Sequence, residues 1–295
     1  MLRRIVGNLY FLTFLNGFLL ASLFYFRMES NYEKELYKAI QLSINSKIDF
    51  NDNQDSLVVK AMQASHSLLA DRQMVFQGKF SEGLSEQYIQ PASVDLMTAK
   101  GACGSYSYVL SRILQTYDYP VRIAQMKVKE AYAAHNIVEV KTNSGWVVLD
   151  PLYNLFFIKP GGKGLASFAD VQNNWNFYKT QLPQGYNLKY CYNGVRYSNW
   201  TKIPIFLPAT KKMLDFVLGK EKADTISMRT LFLQSYSLLY FSLLLIYLPI
   251  LLVTTKKIIK IAIFPQPNIP FNLQNVYLHL KASLRSRHIG GSFNT

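Results

Sequence analysis

Two long stretches without a charged residue limit what this chain can become. The first runs from Ile5 to Phe26 (IVGNLYFLTFLNGFLLASLFYF, 22 residues) and the second from Leu231 to Val253 (LFLQSYSLLYFSLLLIYLPILLV, 23 residues). A helix rises about 1.5 Å per residue and the hydrocarbon core of a bilayer is about 30 Å thick, so about 20 apolar residues cross it. Both runs are long enough. A buried helix of a soluble protein is the competing reading, but such a helix seldom stays apolar on every face over this length. The runs also account for a composition that is 49% hydrophobic and 17% charged, shifted from a soluble domain towards the membrane. The segment between them is long enough to bury a sizeable core.

The flanks of these runs carry topological information. Arg3 and Arg4 precede the first run as in a secretory signal. The run is longer than an ordinary signal core, however, and Ala21-Ser22-Leu23 is a poor small-residue cleavage site, so an uncleaved signal anchor is expected. The net charge is +14, and residues 254–295 contribute six Lys/Arg and no Asp or Glu. A basic tail beside a span reads as a cytoplasmic flank drawn to anionic lipid. Nucleic acid is not an expected partner, because the middle segment has no arginine stripe interleaved with aromatics. Basic ends place both termini in the cytoplasm and the middle domain outside. Lys211, Lys212, Lys220, Lys222 and Arg229 argue the other way, but charge in a loop of about 200 residues has little influence on topology. The expected organisation is a signal anchor at 1–27, a stalk or linker helix at 28–54, a domain at 55–228, a second span at 229–254 and a basic tail at 255–295.

Within the middle segment the apolar spacing changes period. Tyr32 to Ser43 is a charged helical stretch, and from Asp55 to Arg72 apolar residues recur at helical spacing. His66, in that helix, is assigned no role. Gly78 to Ser93 is turn-rich. Gly101-Ala102-Cys103-Gly104 then opens an amphipathic helix whose stripe is Tyr106, Val109, Leu110, Ile113, Leu114 and Tyr117. Strand-like runs follow at Val121–Val128, His135–Val140 and Trp146–Leu149, the last two joined by the turn residues Asn143-Ser144-Gly145. A helix followed by antiparallel strands predicts an α+β domain with the helix packed on a sheet. Beyond Asp150-Pro151 the chain is loop-rich and aromatic; core packing is the reading preferred there, with a carbohydrate or peptide cleft as the lesser one.

A cysteine attacks as its thiolate, which a helix N-terminus and a neighbouring imidazolium both favour. Cys103 stands at a helix start. His135 lies on a strand that can pack beside that helix, and Asp150 ends the next strand across a short hairpin, where it can orient the imidazole. Backbone N–H groups around Cys103 would face a developing oxyanion.

Residues 100–154 resemble the core of the transglutaminase-like superfamily, in the manner of its membrane-anchored bacterial members. The matching pieces are Gly101-Ala102-Cys103, Pro120-Val121-Arg122, His135 with Val138-Glu139-Val140, and Trp146-Val147 through Asp150-Pro151. The resemblance covers about residues 55–155, and it implies a papain-like fold with catalytic roles for Cys103, His135 and Asp150. Two departures stand out. Asn136-Ile137 follows the histidine where Ala and Trp are common, and the helix reads Cys-Gly-Ser-Tyr-Ser rather than Cys-x-x-x-Ala. No side-chain oxyanion donor is evident; Gln87, Tyr88 and Gln90 are candidates only as polar residues upstream.

Each role has a plainer alternative. A lone cysteine is most often a small buried hydrophobe, a histidine can be a satisfied core residue, and an Asp before Pro can simply form a turn. The order and spacing of the three favour the catalytic reading. Trp146 reads as core packing and Cys191 as structural. Two cysteines make no disulfide framework, although in an oxidising compartment they can pair. No clustered His/Cys spacing or dense acidic loop suggests a metal, and no cofactor is expected. The expected activity is thioester formation at Cys103 with acyl transfer to water or to an amine. Its substrate would be a peptide or protein amide, those of the cell envelope included, with membrane lipid as the other contact. A non-catalytic envelope scaffold retaining the fold and a redox thiol pair are the readings from other classes.

Overall fold

The computed structural model describes residues 8–47, 53–76, 91–202 and 204–263. The chain divides into two units, one formed by Met1–Tyr25 with Tyr240–Thr295 and the other by Phe26–Leu239.

Two helices are long and apolar enough to cross a membrane, Leu9–Asn45 and Met228–Ile261. Their apolar windows are mostly exposed, with Phe14, Phe18, Phe24, Phe241 and Leu245 turned outward. A buried helix of a soluble core would hide such residues. Inside the first unit the Asn16 amide Nδ2 donates to Thr254 Oγ1 at 2.7 Å.

Helix α1 (Leu9–Asn45) runs from the apolar segment into the charged stretch without a break. The stretch expected as a stalk or linker helix is, up to Asn45, a continuation of the same helix. Within the larger unit its Tyr37 is fully buried and donates to the Ala92 carbonyl at 2.8 Å. Its Glu33 accepts from the Ser93 N–H at 3.0 Å.

Helices α2 (Gln54–Phe76), α3 (Ala92–Thr98) and α4 (Cys103–Thr116) lead into an antiparallel sheet. Its strands are β1 (Val121–Val128), β2 (Ala131–Thr142), β3 (Gly145–Asp150) and β4 (Leu155–Phe156). Next come α5 (Phe168–Asn173), α6 (Trp175–Tyr178) and the short edge strand β5 (Val195–Arg196). Helices α7 (Phe206–Leu218), α8 (Lys220–Asp224), α9 (Met228–Leu231) and α10 (Ser235–Ile263) complete the described residues. The sheet order is β4-β3-β2-β1-β5, so the domain is α+β as the element order implied.

Successive side chains on a strand leave opposite faces, and here both faces are covered. Val138 and Val140 of β2, with Val147 and Leu149 of β3, pack against Val58, Met62 and Leu69 of α2 and Leu110, Ile113 and Leu114 of α4. On the other face Ala124, Met126, Ile137 and Val148 meet Phe157, Phe168, Tyr178, Tyr186 and Tyr192. The aromatic segment after Asp150 is thus the second wall of the core. Its closing contacts lie far apart in sequence, which is why strand spacing alone did not place it.

Arg122 shows how neighbouring strands of the sheet are tied together. Its guanidinium lies over Trp146 at 4.1 Å and over Tyr197 at 4.2 Å, and its Nε donates to buried Glu139 at 2.8 Å. Trp146 and the Pro-Val-Arg segment are therefore packing elements.

Candidate active site

The first turn of α4 is built by a tight, braced loop. Ala102, just before the helix, has φ 43° and ψ −119°, a conformation that a side chain with Cβ rarely adopts. Gly101 N–H donates to Ser105 Oγ at 2.8 Å, and Ser105 Oγ donates to Asp95 Oδ1 at 2.5 Å. A Cβ on Gly101 would meet Ser105 Oγ at 2.9 Å and its backbone nitrogen at 3.3 Å, so glycine is required for this close approach. Burial raises the Asp95 carboxyl to about 6, against the Ser105 hydrogen bond, which lowers it. The result is a thiol fixed at a helix start, half-buried, with first-turn N–H groups that lack intrahelical partners.

His135 and Asp150 come from neighbouring strands, and the structure sets them together, near enough to Cys103 for both charges to act on its thiol. His135 Nε2 and Asp150 Oδ2 are 2.6 Å apart, and both side chains are wholly buried. A pair this short is a charge-assisted hydrogen bond. The register of β1 against β2 slips beside it: Met126 faces His135, but Lys127 faces Tyr132. Such a bulge bends a strand and re-aims its side chains. With Nε2 committed to Asp150, Nδ1 is the ring nitrogen left over, and no hydrogen bond of good geometry reaches it. The thiol and imidazole nevertheless shift each other's proton affinity, an approach that ligand-free sites commonly leave loose.

The electrostatics favour an ion pair. Burial works against a charged His135, but the charge and hydrogen bond of Asp150, with a smaller part from Cys103, push it up to about 9. Burial likewise opposes the Cys103 thiolate, yet the hydrogen bond and charge of His135 and the Asn136 backbone N–H together lower the thiol below its ordinary value. The Asp150 charge acts on Cys103 in the opposite sense.

Several residues of the site carried no clear signal in the sequence. Tyr190 stacks on the His135 ring at 4.2 Å with planes 4° apart, and Tyr153 lies tilted against it at 5.9 Å. Tyr153 stands three residues after Asp150 and was within reach of a motif argument. Tyr190 lies 55 positions beyond His135, and no local pattern points to it. His66 Nδ1 lies 3.0 Å from the Pro151 carbonyl oxygen, tying α2 to the turn that carries Asp150. Asn136, read above only as a departure, places its Nδ2 at 3.7 Å from Cys103 Sγ. Gln87 and Tyr88, with Gln90, fall outside the described residues. Cys191 and Cys103 are both free thiols. Among the described residues no group of three or more His, Cys, Asp or Glu side chains gathers to hold a metal.

No protein-family model, curated protein or solved structure matches the chain. The chemistry must be argued from the geometry.

Proposed function

We propose that this is a membrane-anchored cysteine acyl enzyme of the transglutaminase-like, papain-like type. The observation that carries the reading is the buried His135–Asp150 pair beside a helix-start thiol whose proton affinity His135 lowers. Structural histidines rarely combine a buried carboxylate partner on one nitrogen with a half-exposed thiol near the other.

The reaction follows from these positions. The Cys103 thiolate attacks an amide carbonyl carbon, and the C=O π pair moves onto oxygen. The Cys103 backbone N–H, at the positive end of α4, stabilises that oxyanion. Collapse breaks the C–N bond, the His135 imidazolium gives its Nδ1 proton to the departing amine, and a thioester remains. Neutral His135 then takes a proton from water or from a second amine, which attacks the thioester and restores the thiolate. Asp150 keeps Nε2 protonated throughout, so Nδ1 faces the chemistry in every step. Transfer to water makes the protein a peptidase or amidase, and transfer to an amine makes it a cross-linking enzyme. The two apolar helices hold the domain to a bilayer, and the basic flanks favour its lying outside the cytoplasm, where peptide and envelope amides are the substrates at hand.

The test is labelling of Cys103 in membranes by an electrophilic amide-mimic probe. Labelling that falls in His135→Ala and vanishes in Cys103→Ala supports the reading. Labelling at the rate of an ordinary thiol, indifferent to His135, sinks it and leaves a scaffold as the better account.

A further inference from the structure

Asn136 follows His135 on β2, so the two side chains leave opposite faces of the sheet. Its neighbours on the same face, Val138 and Val140, pack against α4, while Ile137 joins the aromatic layer. Asn136 is therefore delivered to the start of α4, and its Nδ2 lies 3.7 Å from Cys103 Sγ. The side chain is buried. The Ser107 hydroxyl donates to its backbone carbonyl at 3.2 Å, which anchors the strand to the helix.

What fixes the amide is Arg229. Its Nη1 donates to Asn136 Oδ1 at 2.9 Å. A guanidinium only donates, so the oxygen of the amide must face Arg229 and the NH2 group must face the thiol. The cation also polarises the amide, which strengthens its N–H as a donor. Arg229 is itself held in place, on the segment just ahead of the second apolar run. Ser227 Oγ donates to the Ile123 carbonyl at 2.8 Å and accepts from Ile123 N–H at 3.3 Å. Met228 N–H donates to Ser198 Oγ at 2.8 Å.

We infer that Asn136 is the side-chain oxyanion donor of this site, with Arg229 as the residue that positions and polarises it. The inference rests on the acyl-enzyme reading. An oxyanion formed on attack lies about 2.6 Å from the sulfur, so a donor in contact with Sγ is within a short rotation of it. In the resting site Nδ2 points at the sulfur, and on attack it turns to the new charge, joining the Cys103 backbone N–H. The substitution of Asn for the commoner small residue after the histidine then supplies the donor that the upstream sequence does not reveal.

Two electrophiles separate this role from its alternatives. Iodoacetamide alkylates the thiolate by displacement of iodide and forms no oxyanion. p-Nitrophenyl acetate is attacked at its carbonyl; the oxyanion collapses, p-nitrophenolate leaves with the bond pair, and an acetyl thioester forms. The full-length chain in detergent, carrying Cys191→Ser, is assayed with both. In Asn136→Ala the acylation rate is expected to fall about 10²- to 10³-fold while alkylation changes by less than about threefold. The near-isosteric Asn136→Leu should repeat this, and its unchanged alkylation certifies a folded site. Arg229→Met should lose about tenfold in acylation alone. Equal losses with both electrophiles would show that Asn136 only tunes the thiolate, and no loss with either would show that it only packs; both overturn the inference. If wild-type Cys103 reacts with both as an ordinary thiol and ignores His135→Ala, the acyl-enzyme reading itself falls, and this inference with it.

Discussion

Asp150→Asn separates the charge of the site from its geometry. The carbonyl oxygen of Asn can still accept from His135 Nε2–H, so the ring keeps its orientation and loses only the carboxylate beside it. In the native site His135 is raised from 6.5 to about 9, which amounts to about 3 kcal/mol in favour of the imidazolium. Burial opposes that charge, so the Asp150 contribution exceeds the net figure. At pH 7.4 a ring titrating near 9 is about 98% protonated, and one returned to its ordinary value is about 11% protonated. The thiolate–imidazolium population at neutral pH should fall accordingly, by about tenfold or more. The assay is the pH dependence of Cys103 alkylation by iodoacetamide in the Cys191→Ser background. Wild type should show two steps, one below the ordinary thiol range and one near 9. Asp150→Asn should show a single step close to an ordinary thiol, and Asp150→Ala should add a loss of acyl transfer through lost orientation. An unchanged two-step profile in Asp150→Asn would refute the reasoning.

Folding stability is the wrong probe in the intact pair, and the proton count shows why. Folding raises the proton affinity of His135 and lowers that of Cys103, so their contributions to the pH dependence of stability oppose each other. In Cys103→Ala only His135 remains. Its folded value lies above its unfolded one, so its contribution is fully present below about 6.5 and is lost as pH rises through the folded value.

Other outcomes follow from the same coordinates. The kcat/KM for an acyl substrate should be bell-shaped, with an acid limb below the ordinary thiol range and an alkaline limb near 9; stopped ester hydrolysis across pH 5 to about 10.5 reads it, and a monotonic rise to high pH would contradict the ion pair. Arg122→Ala should destabilise the domain by about 3–5 kcal/mol, because it removes the cation paired with the buried Glu139 carboxylate; thermal melts compared with Glu139→Gln, Arg122→Ala together test the cause, since the double variant should recover part of the loss. Ala102→Gly should raise the melting temperature, by relief of about 1 kcal/mol of left-handed strain at φ 43°; a lower melting temperature would mean that the turn is not strained.

Much of the frame was legible before any coordinates. The two uncharged runs, the helix opening at Cys103, and the three strands with their Asn143-Ser144-Gly145 turn all express short-range periodicity, which a linear chain displays directly. His135 and Asp150 were legible because a hairpin brings neighbouring strands together at a register the turn determines. Element edges were less so: β2 begins at Ala131, four residues before the expected start, because the bulge lets the strand continue past Tyr132.

Only the tertiary structure decided the surroundings of the thiol. Arg229 meets Asn136 across 93 residues, Tyr190 covers His135, and Glu33 and Tyr37 pack an expected stalk onto the domain. None of these contacts has a period or a spacing. Each arises because closing the chain around one core brings distant polar groups into a place that excludes water, where an amide or an imidazole must find a partner or bear the cost of burial. Sequence alone singled out Cys103, His135 and Asp150 as candidates; the packed interior decided that His135 Nε2 meets Asp150 and that Arg229 holds the Asn136 amide.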